Sequence, residues 1–412
     1  MRMRRLLAGA VAAALTVLVA ACGGSNAPLF GPPAQGGGGG PTPGTVPNTM
    51  AVVVDGGPTG GVNTLYATVT VCAPQSTTAC QTIDHVQVDT GSIGLRIFAS
   101  VLGGALTAAQ LPQAADLAGD PLAECAQYAD GYSWGTVRTA DLQIGSETAQ
   151  SIPIHVIGDP AAAPVPASCV SGPAENTVAT FGANGILGIG NFLTDCGSAC
   201  VTGVVPGFYY GCPAGGTCFA VALPLANQVQ NPVSFFAGDN NGVVITLPAA
   251  NAPTPTVSGL LTFGIATQPD NMLGNAQIFS LDPNYGTLNT FYNGMVFASS
   301  FIDSGSNAYF FTDDTIPVCT TQTSFYCPTA PIGLAATIQD SFGSAASVPF
   351  TIDNAIADFA TNAAVLPNLG GPVVSSLPGA FDWGLPFFYG RSVYVAFEGQ
   401  FLAGVAGPWV AF

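Results

Sequence analysis

The sequence predicts a mostly β protein built from two related halves. Its 412 residues include 52 glycines and 33 prolines, a composition that favours strands and turns over long helices. Hydrophobic residues make up 48% of the chain, which is enough for a large core in each half. A short motif, aspartate followed by threonine or serine, glycine and serine, occurs twice, at 89–92 and at 303–306. Apolar, strand-forming residues precede and follow each copy.

The amino terminus has the features of an export signal. Three arginines precede an apolar run from Leu6 to Ala21, which is too short to span a bilayer and fits a secretory signal. The run ends at Cys22 in a Leu-Val-Ala-Ala-Cys sequence that resembles the bacterial lipobox. Residues 1–22 are therefore predicted to be a lipoprotein signal peptide with lipid on Cys22. Because Gly23 follows, we expect an outer-membrane protein, on the periplasmic face or the cell surface; an ordinary cleaved signal is the alternative.

The rest of the chain divides into a tether and two lobes. Residues 23–48 are rich in glycine and proline and cannot bury a core, so they are predicted to be flexible. The first lobe is predicted over 49–235 and the second over 236–412, each with one copy of the aspartate motif. Alternating apolar residues predict strands, and other short stretches predict helical pieces. The strands are expected at 64–72 and 243–247, and the helical pieces near 107–118 and 352–360.

The cysteines point to disulfide bonds. Ten of them follow Cys22, an even number that suits an oxidising compartment. Four groups are close in sequence: Cys72 and Cys80, Cys196 and Cys200, Cys212 and Cys218, Cys319 and Cys327. Cys125 and Cys169 are left over and are expected to pair across a longer loop, although spacing alone does not fix the connectivity. Zinc is the competing interpretation of the cysteine spacings; it is disfavoured because the chain has only two histidines, His85 and His155, and because export favours disulfides, so we expect no metal and no cofactor.

Charge and missing motifs exclude several classes of protein. The net charge is −17, and all six basic residues are arginines. A chain without lysine has neither a Walker phosphate loop nor a Schiff-base lysine. Three arginines beyond the first five residues form no basic face for nucleic acid. We interpret the acidity as a source of solubility.

Six segments, in order, resemble those of the pepsin-like aspartic peptidases, and the likeness runs from about residue 49 to the carboxyl terminus. They are the two aspartate turns, a flap-like hairpin at 128–145, an apolar-Gly strand at 184–190, a strand at 258–264 and a closing motif at 383–398. The resemblance implies a bilobal pepsin-like acid protease fold, with two related β-barrel-like lobes and a cleft between them. It places the chain in a bacterial lipoprotein branch of that family.

The resemblance also implies roles for individual residues. Asp89 and Asp303 would form the catalytic pair, with one shared proton, one member acting as general base and the other as general acid. In that pattern the hydroxyl residues after the aspartates tie the turns together, the glycines admit close backbone approach and the final serines bond the carboxylates. These supporting residues are Thr90, Gly91, Ser92, Ser304, Gly305 and Ser306. Tyr128 would be the tyrosine of a mobile flap that closes over the substrate.

Two residues depart from the family pattern and would modulate the site. Arg96 stands where the animal enzymes commonly carry a tryptophan that bonds the flap tyrosine. An arginine close to the aspartates would favour two ionised carboxylates, or it would bond the flap instead. Asp382 occupies an apolar position of the last glycine motif, where a buried acid needs a partner.

The sequence therefore predicts an aspartic endopeptidase that acts on polypeptides and is held at the membrane by its lipid anchor alone. The alternative is a catalytically inactive protein of the same fold that binds a peptide or glycan in its cleft. A purely structural envelope protein is a third hypothesis. Glycosidases also use paired carboxylates, but those acids do not usually sit in duplicated Asp-Thr/Ser-Gly turns.

Overall fold

A computed structural model describes residues 48–412 of the chain. The predicted signal peptide, Cys22 and the predicted tether up to residue 47 lie outside the described residues. Within residues 48–412, no helix is both long and apolar enough to cross a membrane.

The first half of the described chain is built from short strands. They are β1 (Thr49–Val54), β2 (Leu65–Cys72), β3 (Cys80–Asp89), β4 (Ile93–Phe98), β5 (Leu122–Gln127), β6 (Tyr132–Ile144), β7 (Glu147–Ile157), β8 (Gly185–Ile189), β9 (Tyr209–Gly211) and β10 (Phe219–Ala220). Two short helices accompany them, α1 (Val178–Phe181) and α2 (Ser198–Thr202). The strand predicted at 64–72 is confirmed as β2, whereas the region 107–118 contains only a single 3-10 turn, Ala108–Gln110.

The second half has the same character. Its strands are β11 (Gly242–Thr246), β12 (Val257–Phe263), β13 (Ile278–Ser280), β14 (Leu288–Tyr292), β15 (Met295–Ile302), β16 (Tyr309–Phe310), β17 (Ile332–Gln339), β18 (Ala345–Ile352), β19 (Gly370–Gly371), β20 (Asp382–Trp383), β21 (Ser392–Ala396), β22 (Phe401–Leu402), β23 (Val405–Ala406) and β24 (Trp409–Ala411). The helical piece predicted at 352–360 is confirmed as α3 (Ala355–Ala360), which begins after the Asn354 cap.

Six strands of the first half close into a barrel in the order β2, β3, β8, β4, β7 and β6, because β6 also pairs with β2. Their inward residues alternate with outward ones and are almost fully buried, as at Val69 and Val71 of β2. Strands β5, β9 and β10 extend this sheet on one side. The barrel fixes where the end of β3, and hence Asp89, can lie.

A shared sheet joins the two halves. Strand β1 pairs with β12, and β11, β21, β24 and β13 follow in order on the same sheet. Beyond it, the second half forms a seven-stranded sheet, β18-β17-β14-β15-β20-β16-β19. Aromatic rings fill its core; the Phe381 ring stacks on Phe311 and Trp383 at centroid distances of 4.7 and 4.3 Å. The boundary at residues 235 and 236 stays a prediction.

The same three-strand arrangement occurs in each half. Strand β3 ends in the Asp89 turn and returns as β4, and β8 lies between them, parallel to β3 and antiparallel to β4. Strand β15 leads to the Asp303 turn and returns as β16, and β20 lies between them in the same two orientations. This repetition, in a mostly β protein of two lobes, confirms the predicted fold class.

Five disulfide bonds are present among the described residues, and all follow the predicted grouping. They join Cys72 to Cys80, Cys125 to Cys169, Cys196 to Cys200, Cys212 to Cys218 and Cys319 to Cys327. Four of them close short local loops. The fifth, between Cys125 and Cys169, spans 44 residues and connects β5 to a loop that follows β7.

Candidate active site

The two aspartate turns face each other and are joined by hydrogen bonds. The amide of Thr90 donates to Ser304 Oγ at 3.1 Å, and the amide of Ser304 donates to Thr90 Oγ1 at 3.0 Å. Each hydroxyl then donates to the strand that precedes the opposite turn, Thr90 to Ile302 O at 3.2 Å and Ser304 to Val88 O at 2.9 Å. Residues 214 positions apart in sequence are thereby held in a nearly symmetric arrangement.

Each aspartate carboxylate has the same pair of local donors. The amide of Gly91 donates to Asp89 Oδ1 at 2.7 Å, and the hydroxyl of Ser92 donates to Asp89 Oδ2 at 2.5 Å. In the second lobe, Gly305 and Ser306 make the matching bonds to Asp303 Oδ1 and Oδ2, at 2.8 and 2.9 Å. Because the donors fix both oxygens, the two carboxylates have the same orientation relative to their turns.

The inner oxygens of the two carboxylates are close neighbours. A Cβ atom added to Gly305 would stand 2.4 Å from Asp89 Oδ1 and 3.0 Å from Asp303 Oδ1. A Cβ on Gly91 would stand 2.7 Å from Asp303 Oδ1. Both oxygens therefore lie around one point between the turns, where only glycine leaves enough room. Asp89 is 2% exposed and Asp303 is fully buried, so the pair lies at the bottom of a closed interface.

Glycine is also required on the strand that supports each turn. A Cβ on Gly188 of β8 would stand 2.7 Å from the backbone of Ile93, and one on Gly384, after β20, would stand 2.2 Å from Ala308 O. The chain that leaves each turn therefore packs directly on the supporting strand. This close approach explains the apolar-Gly pattern found at corresponding places in both halves.

A small cavity with a mixed polar and apolar lining lies beside the aspartate turns. Its volume is about 60 Å³, and its walls include Thr90, Gly91, Ile93, Phe301 and Ile302. A larger cavity of about 660 Å³ lies in the second lobe, and Leu281 lines both. Of the two, the smaller cavity is the one in contact with the aspartate turns, and it is the one relevant to chemistry there.

The hairpin that the sequence predicts as a flap consists of β5 and β6, with residues 128–131 at its tip. Tyr128 is only 2% exposed, and its ring packs against Phe181 at a centroid distance of 5.8 Å. Ala129 packs against the apolar cluster of the second lobe that contains Phe301 and Phe310. The tip therefore reaches from one lobe to the other, while the Tyr128 side chain is turned into the first lobe. Its flap role stays a prediction.

The hairpin is fastened on both sides. Strand β5 pairs with β9 and carries Cys125, whose disulfide anchors it to the loop at Cys169. At the start of β6, the amide of Tyr132 donates to Pro173 O at 3.1 Å, and the amide of Glu175 donates to Tyr132 O at 2.8 Å. The loop at 160–176 and strand β9 therefore brace this hairpin.

The two modulator residues are both buried, and Arg96 makes its hydrogen bonds to groups other than the paired carboxylates. The Arg96 guanidinium bonds Glu124 and the carbonyl of Ile93 and approaches Asp195 Oδ2 at 3.4 Å. It is therefore not directed at the paired aspartates. Asp382 is 1% exposed and lies on β20 in register with Phe301, two positions before Asp303.

Sequence reasoning missed polar side chains that connect the lobes, among them Gln87 and Asn63. Gln87 Nε2 donates to Gly305 O at 2.8 Å, and Asn63 Nδ2 donates to Asn307 O at 2.8 Å. A signal for Gln87 existed, because alternation along a strand places residues 87 and 89 on the same face. No comparable signal marks Asn63, which lies in the loop between β1 and β2.

Among residues 48–412, no group of three or more histidine, cysteine, aspartate or glutamate side chains is arranged as metal ligands. The described site thus consists of two carboxyl groups, their amide and hydroxyl donors and a partly apolar cavity wall. Such a site can exchange protons and hold a polarised group, the elements of general acid and base chemistry.

The fold and the paired turns define a two-lobed β protein similar to the pepsin-like aspartic proteinases. The chain belongs to the family described as protein of unknown function (DUF3443), whose model matches residues 44–412. Among solved structures, it is similar to an aspartic proteinase from Irpex lacteus, with 15% sequence identity and a TM-score of 0.49 over 88% of this chain and 96% of that one. Comparison with curated proteins gives no match.

Proposed function

We propose that this protein is an aspartic endopeptidase that hydrolyses peptide bonds through a water activated by Asp89 and Asp303. The observation that carries the proposal is the matched pair of turns, in which each aspartate has the same two donors and each turn bonds the other. The proposed chemistry needs one protonated and one ionised carboxyl group at the same pH, and two carboxyl groups held this close can share one proton in that way.

In the proposed reaction, the ionised carboxylate takes a proton from water as the water oxygen attacks the scissile carbonyl carbon. The protonated carboxyl donates to the carbonyl oxygen, and a proton passes to the leaving nitrogen when the carbon–nitrogen bond breaks. Ser92 and Ser306 hold the outer oxygens, which leaves the inner oxygens facing the water. The neighbouring, partly apolar cavity would receive an apolar side chain of an extended polypeptide.

The test uses protein that starts at residue 23, incubated with an unfolded, reduced and alkylated protein substrate from pH 3 to pH 8. We expect turnover that a statine-type inhibitor blocks and that Asp89→Asn and Asp303→Asn each lower by at least about 1,000-fold, since either loss removes the acid–base pair. Asp314→Asn is the matched control, because Asp314 is an exposed acid of the same lobe as Asp303. Equal turnover in Asp89→Asn and wild type would refute the proposal.

A second candidate is a catalytically inactive protein of this fold that binds a peptide or glycan. The observation that favours it is the burial of the pair, since Asp89 and Asp303 are only 2% and 0% exposed, together with the disulfide that braces the hairpin. Absence of both turnover and statine-type inhibitor binding at every pH would support this candidate. Turnover that depends on both aspartates would eliminate it.

We also propose that the protein is lipid-anchored through Cys22 to the bacterial outer membrane, within a lipoprotein branch of its family. The support is the arginine-rich start, the apolar run and the position of the cysteine in the sequence. Metabolic labelling with an alkyne fatty acid should mark the wild-type protein and not Cys22→Ser. Labelling of both proteins, or of neither, would contradict the anchor.

A further inference from the structure

Five buried polar side chains form a cluster inside the first lobe, away from the paired carboxylates. We call it the Arg96 cluster; its members are Arg96, Glu124, His155, Asp195 and Tyr209, all with fully buried side chains. Arg96 donates to Glu124 Oε1 from Nε at 3.1 Å and from Nη2 at 2.5 Å. Tyr209 donates to Asp195 Oδ1 at 2.6 Å, and His155 Nδ1 lies 3.4 Å from Glu124 Oε2.

The cluster contains one positive and one negative charge. Burial opposes the ionisation of Glu124, but the Arg96 charge outweighs it and holds the pKa of Glu124 below its usual value. Burial, together with the charge on Glu124, raises the pKa of Asp195 well above its usual range, which favours the protonated form of this carboxyl. Burial lowers the pKa of His155 to about 4, and the imidazole is neutral. A buried cluster with balanced charge avoids the cost of an unpaired ion.

One end of the cluster holds the chain that leaves the Asp89 turn. Arg96 Nη1 donates to Ile93 O at 2.6 Å. Ile93 directly follows Ser92, whose hydroxyl bonds Asp89 Oδ2 at 2.5 Å, and Ile93 also lines the small cavity beside the turns. A displacement of the guanidinium would therefore be transmitted to Asp89 through Ile93 and Ser92.

The other end of the cluster belongs to the braced hairpin. Glu124 lies on β5 next to Cys125, and it stands opposite Tyr209 in the pairing of β5 with β9. Asp195 lies next to Cys196 in the loop after β8, and Tyr209 connects that loop to β9. The hairpin, this loop and the Asp89 turn thus meet at a single guanidinium.

We propose that Arg96 is a positioning residue, with Glu124 and Asp195 as its paired acids, that holds the Asp89 turn to the hairpin and to the loop after β8 and limits the site at alkaline pH. This inference rests on the proposed peptidase function of Asp89. The groups that face Asp195 are Glu124 on β5, Arg96 on β4 and Tyr209 on β9, with His155 on β7 behind Glu124.

The alkaline limit follows from the charge balance. When Asp195 loses its proton, two buried carboxylates share one guanidinium, and their repulsion is strong because no solvent screens it. The guanidinium then redistributes between the two acids, and its bond to Ile93 O weakens. We expect the Asp89 turn to lose its fixed position in that state, which lowers kcat more than it raises KM.

The test compares two variants that each replace one carboxyl oxygen by an amide nitrogen. Asp195→Asn imitates the protonated acid and should leave the neutral-pH properties unchanged while abolishing the alkaline loss. Glu124→Gln removes the charge that faces Arg96 and should lower kcat by about 10- to 100-fold at all pH values. A readout that needs no turnover is the carboxyl ¹³C shift of Asp89 in protein labelled with [4-¹³C]aspartate, assigned with Asp89→Asn and followed by NMR to pH 10.

The two readouts separate the hypotheses. An alkaline step in the Asp89 shift that Asp195→Asn removes supports the positioning role, even if every variant lacks turnover and the proposed function fails. The positioning role is overturned if the Asp89 shift is unchanged in Glu124→Gln, or if wild type and Asp195→Asn show the same alkaline step. In either case, turnover by the wild-type protein would still support the proposed function. If Glu124→Gln does not fold, the comparison of wild type with Asp195→Asn still decides the question.

Discussion

Removing the disulfide between Cys125 and Cys169 tests whether this bond holds the hairpin of β5 and β6 in place. The bond closes a loop of 44 residues, whereas the bond between Cys72 and Cys80 closes one of eight. On the chain-entropy treatment, loops of these lengths contribute about 4 and about 2.5 kcal/mol to the free energy of unfolding. The variant Cys125→Ala/Cys169→Ala should therefore unfold at a lower urea concentration than the control Cys72→Ala/Cys80→Ala.

Hydrogen exchange in the hairpin shows whether the Cys125–Cys169 bond holds the hairpin itself or only stabilises the protein as a whole. Hydrogen exchange measured by mass spectrometry should rise in peptides covering residues 122–135 when the Cys125–Cys169 bond is absent, because β5 loses its anchor to the 160–176 loop. The control should leave exchange there unchanged, since Cys72 and Cys80 lie at the ends of β2 and β3. Equal exchange over 122–135 in wild type and the Cys125 variant would show that the remaining contacts alone hold the hairpin, and the reasoning would fail.

Two further predictions concern stability. Ser304→Ala leaves the buried amide of Thr90 without its acceptor and should lower the free energy of unfolding by about 2–3 kcal/mol. The control is Ser299→Ala, because Ser299 is an exposed serine on β15, the strand that leads to the Asp303 turn; equal urea midpoints for the two variants would contradict the prediction. Burial, and then the nearby Asp353, raise the pKa of Asp358 to about 6. Because the folded protein binds this proton more tightly than the unfolded chain does, the wild type loses stability as the pH rises from about 4 through 6. Asp358→Asn has no charge to bury, so it should be more stable than wild type by about 1 kcal/mol at pH 7.5 and equally stable below pH 4. A constant difference across this pH range would refute the assignment.

Local patterns predicted the central features of the site, and long-range packing accounts for the rest. The duplicated aspartate turns could be predicted from the sequence because each is a contiguous motif of four residues. The short disulfides could be predicted for the same reason, since their cysteines lie close together in sequence. Glu124 and Asp195 could not be predicted as part of the site, because they lie on different elements, 71 positions apart in sequence, and are brought to Arg96 only by the fold. Their local sequences, an acid in a strand and an acid in a loop, also fit ordinary exposed residues.

The hairpin shows how a correct local prediction can still give an incomplete picture. The sequence predicted the hairpin, Tyr128 at its tip and the pairing of Cys125 with Cys169. Cys125 precedes Tyr128 by only three residues, so the bond that anchors the hairpin was already implied by these two predictions taken together. The pairing of β5 with β9 could not be predicted from the sequence, because β9 has only three residues and no turn signal links it to β5.

The braced hairpin bears on how a polypeptide would reach the aspartates. Ala129 at the tip packs on a second-lobe cluster that Val373 and Val374 also join, so this contact closes the interface above a pair that is 2% and 0% exposed. Because disulfide and strand contacts hold the hairpin, we expect opening to come from the second-lobe side, where residues 372–379 form an irregular segment with exposed positions. Hydrogen exchange should then be faster over 373–380 than over 122–135, and a statine-type inhibitor should slow it mainly in the former. Faster exchange in the hairpin would place the moving element in the first lobe instead.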